Sequence, residues 1–148
     1  MAKEKPIIAI TMGDAAGIGP EIIVKALLSK GIYNICRPLV VGEGNTLEKT
    51  IELLGKPVKL HRVKSATEVL AQPGTIDLLD LHNLKSEEVV VGRICAPCGR
   101  AAMEYIIEAA RLTLEGKTKA IVTAPISKEA TKLAGYEEMG HLEFLARF

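Results

Sequence analysis

Apolar, β-branched runs alternate with helix-period segments along almost the whole chain, and that alternation leaves few folds open. "PIIAITM" (6–12), "RPLVVGE" (37–43), "PVKLHRV" (57–63), "TIDLLDL" (75–81) and "KAIVTAP" (119–125) each read as a strand. The first and last are continuous apolar runs, the pattern of parallel strands covered on both faces. Between them, "PEIIVKALLSKG" (20–31), "NTLEKTIELLG" (45–55), "CGRAAMEYIIEAARLTLEG" (98–116) and "ISKEATKLAG" (126–135) carry helical spacing. Asn45 or Thr46 offers a cap for the second of these, and the third puts Ala102, Tyr105, Ile106, Ala109 and Leu112 on one stripe. "EEVVVGRI" (87–94) reads either as a further strand or as an extended connection. Strands separated by helices imply βαβ units and an α/β fold with a mostly parallel sheet flanked by helices. The change of composition at residues 82–92 marks a candidate hinge between two lobes.

Composition narrows the function classes. The 148 residues are 48% hydrophobic and 25% charged, ordinary for a globular domain with a real core. A net charge of +1 gives no general attraction to nucleic acid or an anionic membrane. Aromatic residues make up 3% and Trp is absent, which argues against base-stacking or sugar-stacking surfaces. No apolar run approaches the roughly 18 residues of a membrane span, and three cysteines do not make a secreted disulfide framework. These features predict a cytoplasmic protein.

The stretch "ITMGDAAGIGPEII" (10–23) joins the first strand to the first helix. Gly13, Gly17 and Gly19 allow positive φ and close backbone approach, and Pro20 suits a first helical turn. Free amides and the helix dipole favour an anion at such a junction. The spacing is neither a Rossmann fingerprint nor a P-loop, and no Gly-Lys-Ser/Thr follows. Glycine spacing alone leaves a purely structural turn open.

Four blocks in one order carry a resemblance. "GDAAGIGPEI" resembles the GDPAGIGPE signature of the 4-hydroxythreonine-4-phosphate dehydrogenases, with Ala15 in place of a proline, and more distantly the GDGIGPE of isocitrate and isopropylmalate dehydrogenases. "GRICAPCGRAAMEYIIEA" resembles the family's helix entry, "AIVTAPISKEATKLAG" its strand-turn-helix, and "GHLEFLA" its GHTEFLA. The family includes dehydrogenases of threonate and erythronate 4-phosphate. The resemblance implies a two-lobed α/β fold like that of isocitrate dehydrogenase, with substrate in the cleft and a homodimer that shares its active sites. It implies oxidation of a secondary alcohol such as that of 4-phosphohydroxy-L-threonine by NAD, followed by decarboxylation. A divalent metal (zinc, magnesium or cobalt) serves as Lewis acid in such a reaction.

Carried onto this chain, the resemblance makes His141 a substrate-binding residue. Leu142 stands where the family has a substrate-binding threonine, and a leucine has no hydroxyl to offer. Lys128 matches the family lysine after the "TAP" turn, while Ser127 replaces an asparagine. A lysine in a first helical turn opposes the dipole, so Lys128 is a candidate anion ligand or a solvated side chain. Thr123, Gly13, Asp14, Gly17 and Gly19 complete the candidate cleft wall.

The family's three metal-binding histidines lie beyond the GHTE block, and His61 and His82 precede it, so no metal ligand is expected within this chain. The resemblance therefore implies an N-terminal portion, less than half of such an enzyme and inactive alone. A non-catalytic module that binds an anion or dimerises is the reading from another class. A phosphate acyltransferase of related fold would lack the GHxEFL block. "CAPC" (95–98) has C-x-x-C spacing at a helix start, where thiolates are stabilised, but it is only half a zinc site.

Overall fold

The computed structural model describes residues 4–137 and 140–148. Five strands, β1 (Ile7–Thr11), β2 (Arg37–Gly42), β3 (Lys59–Val63), β4 (Thr75–Asp80) and β5 (Ala120–Thr123), form one sheet. Its order is β3-β4-β2-β1-β5, and every pairing is parallel. The α/β expectation holds.

Six helices connect or follow the strands: α1 (Gly19–Ala26), α2 (Lys30–Ile35), α3 (Gly44–Leu54), α4 (Ala96–Leu114), α5 (Lys128–Leu133) and α6 (His141–Leu145). The connections from β1 to β2 and from β2 towards β3 run in one direction across the sheet. The connection from β4 to β5 runs back past β2 and β1. Right-handed crossovers then put α1 and α3, which pack together, on one face and α4 on the other. The direction reverses beside β1. In open parallel sheets, ligands bind in the crevice outside the carboxyl ends of the strands at such a point.

The core explains the apolar patterning. Ala9, Leu39, Val40, Val41, Ile76 and Leu78 of the sheet are buried, together with Cys98, Ala101, Tyr105, Ala109 and Leu112 of α4. Those α4 residues repeat at three- and four-residue spacing and face the strands. Met103 and Ile106 form a second stripe on α4, packed with Phe144 of α6. The stripe expected from the sequence is thus two stripes, because α4 is covered on two sides.

One open reading is decided and two local expectations are corrected. Residues 87–94 form no strand: Ser86–Glu88 is a short 3-10 turn, and Gly92 has φ +82 and donates its amide to the Ala16 carbonyl at 2.7 Å. The helix expected over 20–31 breaks after Ala26, and α2 starts anew behind Ser29. Neither Asn45 nor Thr46 caps α3. The buried Glu43 carboxylate does so, accepting from the Asn45 amide at 2.9 Å, the Thr46 amide at 2.8 Å and the Thr46 hydroxyl at 2.7 Å. No helix among the described residues is long and apolar enough to cross a membrane.

Candidate functional site

The carboxyl ends of β1 and β5 lie side by side, with Thr11 paired in register with Thr123. The chain leaves β1 through Met12 and Gly13 and leaves β5 through Ala124 and Pro125. These two turns are stitched together, the Asp14 amide donating to the Pro125 carbonyl at 3.0 Å and the Ala124 amide to the Thr11 carbonyl at 3.1 Å. Gly13 has φ +74, and a Cβ there would lie 2.4 Å from the Pro125 oxygen, so only glycine lets the turns meet. Gly19 is required for a different reason: a Cβ would lie 2.2 Å from the Met12 carbonyl oxygen.

Gly17 shows neither constraint. Its φ is not in the left-handed region, and an added Cβ would make ordinary contact with Asp14 at 3.4 Å. Positive φ in the loop is therefore a property of Gly13 alone among the three glycines. Gly17 donates its amide to the Asp14 carbonyl at 3.0 Å, and Asp14 Oδ1 accepts from the Ala16 amide at 2.9 Å, which closes the loop on itself. Asp14 is buried, and this burial pushes its carboxyl above the usual carboxylate range against the pull of the Ala16 bond. Gly17 also lines a groove of about 150 Å³ between the loop, α3 and the 86–91 segment, with Pro20, Thr46, Lys49 and Ser86.

His141 opens α6 and reaches the same crevice. Its ring donates to the Ala124 carbonyl. Nε2 is buried without a hydrogen-bond partner among the described residues. Burial depresses its pKa and holds the imidazole neutral, outweighing the Ala124 bond. The Phe144 ring, in edge contact with Tyr136 at 6.0 Å between centroids, anchors α6 against α4. Ala124, whose carbonyl orients His141, was not singled out from the sequence, although its "TAP" turn was.

The structure thus brings Gly13, Asp14, Gly19, Thr123 and His141 to one edge. Leu142, on the same helix turn as His141, is 84% exposed. Lys128 is the first residue of α5, exposed, with no ion pair among the described residues. The cap of α5 is Ser127, whose hydroxyl accepts from the Ala130 amide at 3.1 Å. No group of three or more His, Cys, Asp or Glu that could hold a metal occurs among the described residues.

The depressed His141 pKa makes a stability prediction. Between its folded value and about 6.5 the unfolded state binds more protons, so stability rises with pH through that window and is fully present above it. Urea unfolding at stepwise lower pH should lose stability below about pH 6.5, and His141→Gln should flatten that slope. An unchanged slope in the variant would show that another group carries it.

The parallel α/β sheet places glycine backbone and the His141 ring at the carboxyl ends of its strands, the edge where open α/β sheets bind ligands. The comparisons give the family. The profile described as pyridoxal phosphate biosynthetic protein PdxA matches residues 34–148, and the chain belongs to that family. It is 45% identical over 146 residues to the D-threonate 4-phosphate dehydrogenase of Cupriavidus necator, covering 99% of this chain and 44% of that protein. Its structure matches a 4-hydroxythreonine-4-phosphate dehydrogenase from Burkholderia phymatum with TM-score 0.93 and 41% identity, over 98% of this chain and 44% of that one. A terephthalate 1,2-cis-dihydrodiol dehydrogenase from Burkholderia xenovorans LB400 matches with TM-score 0.71 and 27% identity, over 90% of this chain and 38% of that one. The chain spans less than half the length of these relatives.

Proposed function

We propose that this chain supplies the substrate-binding crevice of an NAD-dependent dehydrogenase of 4-phosphorylated hydroxy acids, with D-threonate 4-phosphate as the substrate. The observation that carries the reading is the unpartnered Nε2 of His141, a buried nitrogen at the sheet edge on a ring whose pKa burial depresses. A secondary alcohol donating to Nε2 is held by the ring, and Nε2 is the atom to which its proton passes as hydride leaves carbon for NAD. The backbone-lined wall at Gly13 and Gly19 lets substrate approach without side chains in the way. Decarboxylation of the β-keto acid completes the proposed reaction. A divalent metal supplies Lewis-acid polarisation in such a reaction, and its ligands are not among the described residues. A cytoplasmic homodimer with shared active sites belongs to the same proposal. Residues 82–92, whose Gly92 amide donates to the Ala16 carbonyl at 2.7 Å, remain the proposed hinge.

The second reading is 4-phosphohydroxy-L-threonine, in pyridoxal phosphate biosynthesis, favoured by the profile description and by the Burkholderia phymatum structure. A chimera separates the two. These residues replace the matching part of the Cupriavidus necator enzyme, and kcat/KM is compared for both substrates. The proposal expects D-threonate 4-phosphate to be preferred, and preference for 4-phosphohydroxythreonine would replace it with the second reading. Leu142→Thr adds a hydroxyl beside His141 at an exposed site, so stability should change by less than about 0.5 kcal/mol. One neutral hydrogen bond gained should tighten binding of 4-phosphohydroxythreonine about fivefold. Unaltered affinity for both substrates would place Leu142 outside the pocket.

A further inference from the structure

The pair Cys95 and Cys98 has no part in the reading above, yet it sits directly behind the glycine-rich loop. Cys95 is the N-cap residue of α4, in extended backbone conformation, and its Sγ accepts from the Cys98 amide at 3.4 Å. It is half-buried, and its thiol donates to the Glu88 carbonyl at 3.5 Å. Pro97 lies in the first turn of the same helix, fixing the backbone between the two sulfurs. Cys98 is fully buried, its thiol hydrogen-bonded to that of Cys95 and facing the Ala16 amide and Asp14. Residues three apart on a helical turn have Cα atoms roughly 5 Å apart, inside the range a disulfide spans. The third cysteine, Cys36, donates to the Ile32 carbonyl at the end of α2, in a different part of the fold.

We propose that Cys95 and Cys98 form a thiol–disulfide redox pair, closed by exchange with a low-molecular-weight disulfide, and that closure loosens the glycine-rich loop. Cys95 acts first because it is the more accessible of the two thiols, Cys98 being fully buried. Its thiolate attacks one sulfur of the small disulfide, that S–S bond breaks, and one small thiolate leaves. Cys98 then gives up its proton and attacks Cys95 Sγ, expelling the second small thiolate. The two expelled thiolates take up the two protons that Cys95 and Cys98 lost. Two protein thiols are oxidised to one disulfide, and one small disulfide is reduced to two thiols. Burial and the hydrogen bond to Cys95 push the Cys98 thiol up to about 12, which fits a resolving role rather than an attacking one. Closure draws Cys98 Sγ off the Ala16 amide and Cys95 Sγ off the Glu88 carbonyl. Both sides of the loop then lose a contact, since Ala16 also receives the Gly92 amide at 2.7 Å.

The test uses the full chain carrying Cys36→Ser, equilibrated in buffers of increasing oxidised-to-reduced glutathione ratio. After acid quench and unfolding, maleimide labelling and mass spectrometry count free thiols. Both labels should disappear together, with no glutathione retained, and excess reduced glutathione should restore both. Cys95→Ser should abolish the loss of label at Cys98. Amide hydrogen exchange at Ala16 and Gly17 should quicken several-fold in the oxidised form. A stable glutathione adduct on Cys95 with Cys98 still labelled, or retention of both labels, would overturn the pair. Exchange at Ala16 and Gly17 unchanged by oxidation would overturn its link to the loop.

Discussion

Gly99→Ala should destabilise the fold by about 2–3 kcal/mol, a larger loss than a glycine-to-alanine change in the surface turns. The reason is a backbone crossing. A Cβ at Gly99 would lie 2.1 Å from the Ala130 carbonyl oxygen, 2.2 Å from its carbon and 2.6 Å from the Thr131 nitrogen. None of these atoms belongs to a side chain that can rotate away, so α5 must move as a body. Alanine would gain about 1 kcal/mol of helix propensity over glycine, which offsets only part of that cost. For a domain near this size the midpoint should fall by about 5–10 °C. Gly55→Ala is the comparison: φ is +58 with nothing within 4 Å of an added Cβ, so only the left-handed backbone is strained. Its cost should be about 1 kcal/mol. Thermal and urea unfolding of both variants decides the matter, and equal losses would show that α4 and α5 do not cross this closely.

His141→Ala should reduce kcat/KM of the chimera with D-threonate 4-phosphate by about 100-fold while leaving its unfolding midpoint nearly unchanged. Removing the ring leaves the substrate hydroxyl without its acceptor, a loss of about 1–3 kcal/mol in a desolvated site. At 1.4 kcal/mol per tenfold this spans roughly 5- to 150-fold, and loss of the proton acceptor during hydride transfer places the effect at the upper end. The pH profile adds a second readout. Only neutral His141 accepts a proton, and its pKa is depressed by burial, so activity of the parent chimera should hold through pH 6.5 and fall only in more acid solution. Full activity in the alanine variant would remove His141 from the chemistry.

Much of this site is legible in the sequence because three of its walls are set by local chemistry. Gly13 needs positive φ, Pro20 needs a first helical turn, and the "TAP" turn ends an apolar strand; each is a property of a few adjacent residues, although β5 is an edge strand with Val122 exposed and not the doubly covered strand its apolar run suggests. What was not legible depends on partners distant in the chain. Val89, Val90 and Val91 have the composition of a strand, but no neighbouring strand receives them. Val91 ends 79% exposed, and the Gly92 amide turns to Ala16 instead. Glu43 caps α3 from the last turn of a buried strand end, a role no propensity scale gives a glutamate inside an apolar run. Gly17 looked equivalent to its neighbours because spacing does not reveal which glycine meets another backbone. The importance of Ala124 lies in its carbonyl, which a side-chain reading cannot see.

The account rests on His141 as a neutral, Nδ1-protonated ring whose Nε2 receives substrate. Nitrogen NMR of the ring, with histidine selectively labelled in the chimera, reports this directly. At neutral pH the ring should show a protonated Nδ1 and a bare Nε2, titrating below the ordinary histidine range. Adding D-threonate 4-phosphate should shift the Nε2 resonance, whereas inorganic phosphate alone should not. An Nε2-protonated ring, or an Nε2 signal indifferent to the phosphorylated hydroxy acid, would contradict the account.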